Sequence, residues 1–335
     1  MTDSSATPLG DDRAPLFELP AELAIDTNVA RRVIREFVRG QLRQAGFERA
    51  VLGLSGGIDS ALVAYLVAEA IGAERLLAVL MPYRTSSPAS RGDAETVVTT
   101  LGCASDVVDI SAMVDGYFGT EPTEPTEATH ATGAGDGHSA AAGHSGGAGR
   151  TGAAGEGGLD ASPLRRGNFA ARMRMAVLYD RSVTWGGLVV GTGNKTESLI
   201  GYTTLFGDSA CAFNPIGDLY KSQVRQLSVA VGVPDAIVRK APSADLWPGQ
   251  TDESEAGFSY PVLDRLLFWR VDKRRSLEEM ASLAFDSELV ARVDRMIATS
   301  EFKRQVPPIA KLGPRTAGVD YLYPRRRPGS AAQPR

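Results

Sequence analysis

Residues 51–70, VLGLSGGIDSALVAYLVAEA, run from a short apolar stretch through a Ser-Gly-Gly turn straight into a helical pattern. No other feature of the chain constrains its fold as much. A glycine pair between a buried strand and a helix start leaves backbone N–H groups uncovered, and such groups suit an oxyanion or a phosphate. The alternation continues downstream. Strand-like runs stand at 51–54, 76–81, 107–110 and 188–191, with helical spacing at 60–71, 93–101 and 168–182. This pattern predicts an α/β fold with a parallel sheet flanked by helices on both faces, ligands binding beyond the carboxyl ends of the strands. One amphipathic helix is expected before the first strand, at 28–42, facing either the core or a second subunit. Three more are expected late in the chain, at 221–231, 260–271 and 286–298.

Composition sets part of the chain apart. Of the 26 residues from 133 to 158, eleven are Gly and seven Ala, too little apolar surface to offset the entropy of ordering. Residues 119–160 are therefore expected to form a disordered insert, residues 1–12 a disordered start and the basic residues 325–335 a disordered tail, leaving one domain over 13–324. All three histidines, His130, His138 and His144, lie in the Gly/Ala tract. A Ser-His-Asp triad or a histidine-ligated metal would have to be built there. Cys103 and Cys211 are the only cysteines, too few for a zinc site or a disulfide framework, which points to a reducing compartment. With no apolar run of membrane-spanning length and no basic apolar leader, the expected location is the cytoplasm, with no membrane partner. A net charge of −4 gives no general reason to expect nucleic-acid binding.

Two familiar phosphate motifs do not fit GLSGGIDS: GxxxxGK[ST] needs a lysine that is absent, and the GxGxxG spacing fails. What remains is SGGxDS between strand and helix. Gly56 and Gly57 remove Cβ atoms where a phosphate would approach, Ser55 and Ser60 add hydroxyls, and Asp59 can hold a magnesium ion on that phosphate. The competing reading is a plain tight turn capped by Ser or Asp.

GLSGGIDS resembles the pyrophosphate-binding loop of the ATP pyrophosphatases that activate substrates by adenylation, whose fold is Rossmann-like. Six ordered blocks are similar to NAD synthetases in particular: GNFAARMRM (167–175), VVGTGNKTESLIGYTTLFGD (189–208), NPIGDLYKSQVRQL (214–227), APSADLWPGQTDESEAG (241–257), YPVLDRLL (260–267) and SEFKRQVPPIAKL (300–312). The likeness spans about 28–320 and implies extra N- and C-terminal helices around the sheet. By this resemblance Gly53, Leu54, Ser55, Gly56, Gly57, Ile58, Asp59 and Ser60 hold the ATP phosphates, Thr192 and Ser243 line the ATP site, and Lys221 contacts the phosphates. Asp59 and Glu197 would bind Mg2+, and Asp59, Glu197 and Lys221 would handle charge in catalysis. Arg172, Lys303 and Arg304 match contacts to the dinucleotide substrate.

Two of these roles have physical support in the sequence itself. Glu197 follows the strand LVVG by a few residues, which puts it at the carboxyl edge of the sheet on the side of Asp59. Lys221 heads an expected helix, an unfavourable place for a cation unless an anion is near. Leu205 and Ala212 depart from the family, standing where a lysine and an aspartate usually meet the dinucleotide.

The implied reaction is amidation of deamido-NAD to NAD: adenylation by ATP, loss of pyrophosphate, then displacement of AMP by ammonia. The 52 residues before Gly53 are too few for an amidase domain, so free ammonium or a separate glutaminase is the expected nitrogen source. A homodimer is also implied. Competing readings are another adenylating enzyme of the superfamily, an amidase or tRNA thiolase, and a non-catalytic nucleotide-binding regulator.

Overall fold

The computed structural model describes residues 16–119, 163–241, 258–317 and 319. Four parallel strands, β1 (Arg49–Gly53), β2 (Leu76–Leu80), β3 (Ala104–Val107) and β4 (Gly187–Val189), form one sheet in the order β3-β2-β1-β4. Val51 pairs with Leu77 on one side and with Val189 on the other. A single parallel bridge, Val190 to Phe213, carries the sheet one step beyond β4.

The central strands are buried on both faces, which explains why their sequences are continuously apolar rather than alternating. Ala50, Leu52, Leu76, Ala78 and Leu80 point to one face. There they meet α1 (Thr27–Ala45), α2 (Ile58–Ile71), α3 (Pro88–Leu101) and α7 (Lys221–Val231). Val51, Leu77 and Val79 point to the other, against α4 (Ser111–Gly119) and α5 (Pro163–Trp185). Helix α2 lies in the middle of the first layer and is apolar almost all round. Helix α1 covers it with a narrower stripe, Ile34, Val38 and Leu42, one residue every four. Asp26 starts α1 by accepting from the N–H groups of Asn28 and Val29.

A third apolar cluster lies beyond the sheet. It joins α6 (Lys195–Ile200) to the C-terminal helices α9 (Tyr260–Leu267), α10 (Leu277–Ser282) and α11 (Ser287–Thr299), whereas the short α8 (Asp235–Arg239) packs Ile237 and Val238 into the first layer. The parallel sheet, the helices on both faces and the added terminal helices are as expected.

Several boundaries differ from expectation: α3 and α5 each begin five residues earlier, at Pro88 and Pro163, and two further differences have a physical cause. The third strand is Ala104–Val107, not 107–110. It is an edge strand with one wet face, so its sequence ASDV is polar, and Asp106 pairs with Arg181 at 2.6 Å. The apolar Val108 and Ile110 follow it as loop residues packed into the core. Helix α9 stops at Leu267 and the chain continues as one π turn, Phe268–Asp272, rather than as α-helix to 271. The expected disordered start, insert and tail lie outside the described residues, except Gly119, which ends α4. Ser243 and the three histidines lie outside them too. Among the described residues no helix is long and apolar enough to cross a membrane.

Candidate active site

The strand order reverses beside β1, since β2 follows on one side and β4 on the other, and loops diverging at such a point leave a crevice at the carboxyl edge. The turn after β1 and the loop 190–194 after β4 flank that crevice. A cavity of about 610 Å³ opens there. It is lined by residues 53–60 except Gly56, and by Thr192, Glu197 and Lys221, so nearly all of the expected ATP-site residues that are described meet in one place.

The turn holds itself in shape. Ser60 Oγ accepts from Ser55 N–H at 3.2 Å and donates to the Gly57 carbonyl at 3.0 Å, and Ser55 Oγ accepts from Gly57 N–H at 3.2 Å. Ser60 is buried and shapes the turn; Ser55 is exposed at its mouth. Gly56 has φ +80°, and a Cβ there would lie 1.9 Å from the Ser90 carbonyl oxygen of α3. No side chain caps α2, so neither Ser nor Asp plays the part that a plain capped turn requires. The first residues of α2 line the cavity, where the positive end of the helix favours an anion.

Asp59 turns the other way, into a charged cluster. Lys221 Nζ donates to Asp59 Oδ2 at 2.5 Å and to Glu197 Oε1 at 3.0 Å. Asn194 Nδ2 donates to Asp59 Oδ1 at 2.9 Å, while Asn194 Oδ1 accepts from Glu197 N–H as the cap of α6. Lys221 is the first residue of α7, as expected, but it is no surface lysine: its side chain is 3% exposed, against 18% for Asp59 and 17% for Glu197. The two carboxylates supply the negative charge that a lysine at a helix N-terminus needs. The Tyr260 ring lies 5.2 Å from its Nζ.

Behind this cluster is an acid that the sequence reading did not single out. Asp264 of α9 is fully buried and accepts from Thr196 Oγ1 at 2.6 Å and from both N–H and Oγ of Ser222 at 2.7 Å. Burial pushes its carboxyl pKa up, and the bonds from Ser222 and Thr196 oppose that shift. Its signal was present: an acid on the apolar face shared by Tyr260, Leu263 and Leu267. Asn194 was legible too, as the N-x-x-E start of a helix. Lys240, on the cavity wall and bonded to Asp93 at 2.7 Å, carries no such mark.

The expected dinucleotide contacts are placed differently. Lys303 Nζ donates to the carbonyls of Gly201 and Thr203, and burial lowers its pKa. Arg304 donates to the carbonyls of Ser198, Leu199 and Ile297, at the ends of α6 and α11. Arg172 Nε donates to the Leu205 carbonyl. None of the three lines the cavity; each holds backbone of, or leading into, the 201–208 loop, whose Thr203, Thr204 and Asp208 do.

A parallel sheet reversed beside β1, with a glycine turn leading into a helix at the reversal, is the arrangement of the doubly wound nucleotide-binding proteins. Within that class the chain belongs to the NAD synthase family, whose model matches residues 30–133 and 153–307. It is 45% identical over 305 residues to the NH(3)-dependent NAD(+) synthetase of Trichlorobacter lovleyi, covering 91% of this chain and 98% of that one. It is similar in structure to the NH3-dependent NAD synthetase of Campylobacter jejuni in complex with the nitrate ion, with TM-score 0.65, 29% identity, and coverage of 86% of this chain and 100% of that one. It is also similar to the NMN synthetase of Francisella tularensis, with TM-score 0.67, 25% identity, and coverage of 86% and 99%. The family read from the six sequence blocks is borne out. Residues 134–152, inside the Gly/Ala tract, are the internal stretch that the family match leaves out.

Proposed function

We propose that this chain makes NAD from deamido-NAD, using ATP to activate the carboxylate and ammonia as the nitrogen donor. The likeness to an NH(3)-dependent NAD(+) synthetase over 98% of that relative's length carries the reading. A carboxylate cannot exchange its oxygen for ammonia directly, because oxide would have to leave. Attack of the nicotinate oxygen on the α-phosphorus of ATP forms an acyl-adenylate and expels pyrophosphate. Ammonia then attacks the acyl carbon, AMP leaves with the former carboxylate oxygen, and one proton is lost. Catalysis of this kind is positioning and charge neutralisation, which suits a site without histidine.

In this reading residues 53–60 receive the β- and γ-phosphates at the start of α2, with Thr192 and, outside the described residues, Ser243 on the nucleotide. Lys221 keeps a positive charge between Asp59 and Glu197 where the phosphates arrive. The donor set fits Mg2+: Asp59 and Glu197 already converge on one cation, Lys221 Nζ, and one or two carboxylates beside substrate phosphates are the oxygen ligands that Mg2+ takes. Bound with the nucleotide on Asp59 and Glu197, the ion would add positive charge at the phosphates. Lys303, Arg304 and Arg172 act on the dinucleotide through the 201–208 loop that they hold.

The test is purified protein with deamido-NAD, ATP, magnesium and ammonium chloride. Equal amounts of NAD, AMP and pyrophosphate are expected; ADP with phosphate, or nucleotide binding without turnover, would overturn the reading. Nicotinic acid mononucleotide belongs in a parallel reaction, because Leu205 and Ala212 bring no charge to the dinucleotide side and one structural neighbour is an NMN synthetase. Faster turnover of the mononucleotide would move the assignment to that acid.

A homodimer in the cytoplasm, fed by free ammonium or a separate glutaminase, completes the proposal. Support for the dimer comes from apolar side chains on α4 and α5 that the described residues leave exposed, Val183 at 83% and also Met113, Tyr117 and Tyr179. Val183→Glu is expected to give monomers by size-exclusion light scattering with an unchanged melting temperature. An unchanged oligomeric state would move the interface elsewhere.

A further inference from the structure

The geometry points to Asp264 as a positioning residue: its buried carboxylate ties the first turn of α6 to the first turn of α7 and so sets the distance between Glu197 and Lys221. The inference rests on the proposed function, which places those two residues at the phosphates.

Each oxygen of Asp264 serves one helix. Oδ1 accepts from Thr196, the residue before Glu197; Oδ2 accepts twice from Ser222, the residue after Lys221. Thr196 Oγ1 closes the ring by accepting from Lys221 N–H at 3.0 Å. Asp264, Thr196 and Ser222 are all buried and none lines the cavity, so Asp264 acts without touching a reactant.

Leu263, Leu266 and Leu267 lie beside Asp264 on α9, so an apolar side chain would suit the position but for the buried Thr196 and Ser222 donors it would leave unpaired, a cost that a melting temperature reads separately from rate. What an apolar residue lacks is a directional bond to two helices at once. A displacement of 1 Å in a charged group beside the reacting phosphates costs about 100-fold in rate.

Asp264→Asn keeps the volume but offers an NH2 group where either Thr196 or Ser222 donates to an oxygen. At a temperature well below melting, kcat/KM for ATP is expected to fall about 10–100-fold, while KM for deamido-NAD stays within about two-fold. In a Lys221→Ala background the same change should cost less than about three-fold, because the group it positions is gone. Unchanged kinetics with a lowered melting temperature, or losses that simply multiply in the double variant, would overturn the proposal. If Asp264→Asn does not fold, Thr196→Val and Ser222→Ala each remove one tie; both should lower kcat/KM for ATP, and wild-type kinetics in both would overturn it. Should the wild type form no NAD, the functional reading fails by itself. Calorimetric ATP affinity then decides: about ten-fold weaker binding in Asp264→Asn supports the positioning role, and equal binding refutes it.

Discussion

Lys221→Ala is expected to lower kcat about 10²–10³-fold, the loss found when one preorganised charge or donor is removed from a site where negative charge moves in the transition state. The variant should still fold. Removing one partner of a fully buried ion pair costs about 3–5 kcal/mol. Asp59 and Glu197 keep 18% and 17% of their side-chain surface in water, so each can be rehydrated from the cavity and the cost falls below that range. Steady-state kinetics and a thermal melt separate the two effects. A variant whose kcat stays within about five-fold of wild type would remove Lys221 from the chemistry, however strongly its melting temperature moved.

Gly56→Ala is expected to damage both fold and site. At φ +80° an alanine pays the left-handed strain of about 1–2 kcal/mol. Its methyl would also stand 1.9 Å from the Ser90 carbonyl, which is backbone and cannot rotate away. Relief requires the turn and the start of α3 to part, which withdraws the N–H groups meant for the phosphates. We expect destabilisation of at least about 2 kcal/mol and no measurable ATP binding. Gly57→Ala is the control. Gly57 has φ −87°, and its nearest neighbour would be the hydroxyl tip of Ser55 at 3.3 Å, so the fold should tolerate the methyl. Weakened ATP affinity in a Gly57→Ala protein of normal stability would mark that position as a phosphate approach. Chemical denaturation and calorimetry measure both; a Gly56→Ala protein as stable as wild type would mean that the turn is not locked against α3.

How much of this was legible in the sequence depends on distance along the chain. The step from β1 through the glycines to α2 could be read because strand, turn and helix are contiguous, and their apolar patterns are unbroken by function. The third strand was misplaced because an edge strand needs only half an apolar face, and the more apolar residues just after it, Val108 and Ile110, drew the reading forward. Helix α6, six residues long, carries too little periodicity to be seen without its cap. In the site, Asp59, Glu197 and Lys221 could each be nominated from local context. Their meeting could not be read: Asp59 and Lys221 are 162 residues apart, and the anions that a lysine at a helix start calls for could be named only once the structure set it between two carboxylates. Lys303 and Arg304 were nominated by the family resemblance alone, and the backbone carbonyls that they hold carry no mark in the sequence.

The central claim is that the glycine turn after β1 is where the nucleotide's phosphates bind. A crystal structure with deamido-NAD and a non-hydrolysable ATP analogue tests it directly. The account predicts the β- and γ-phosphates against the N–H groups of residues 55–60, with Lys221, Asp59 and Glu197 beside them. A triphosphate held elsewhere in the cavity, with that turn left facing solvent, would contradict it.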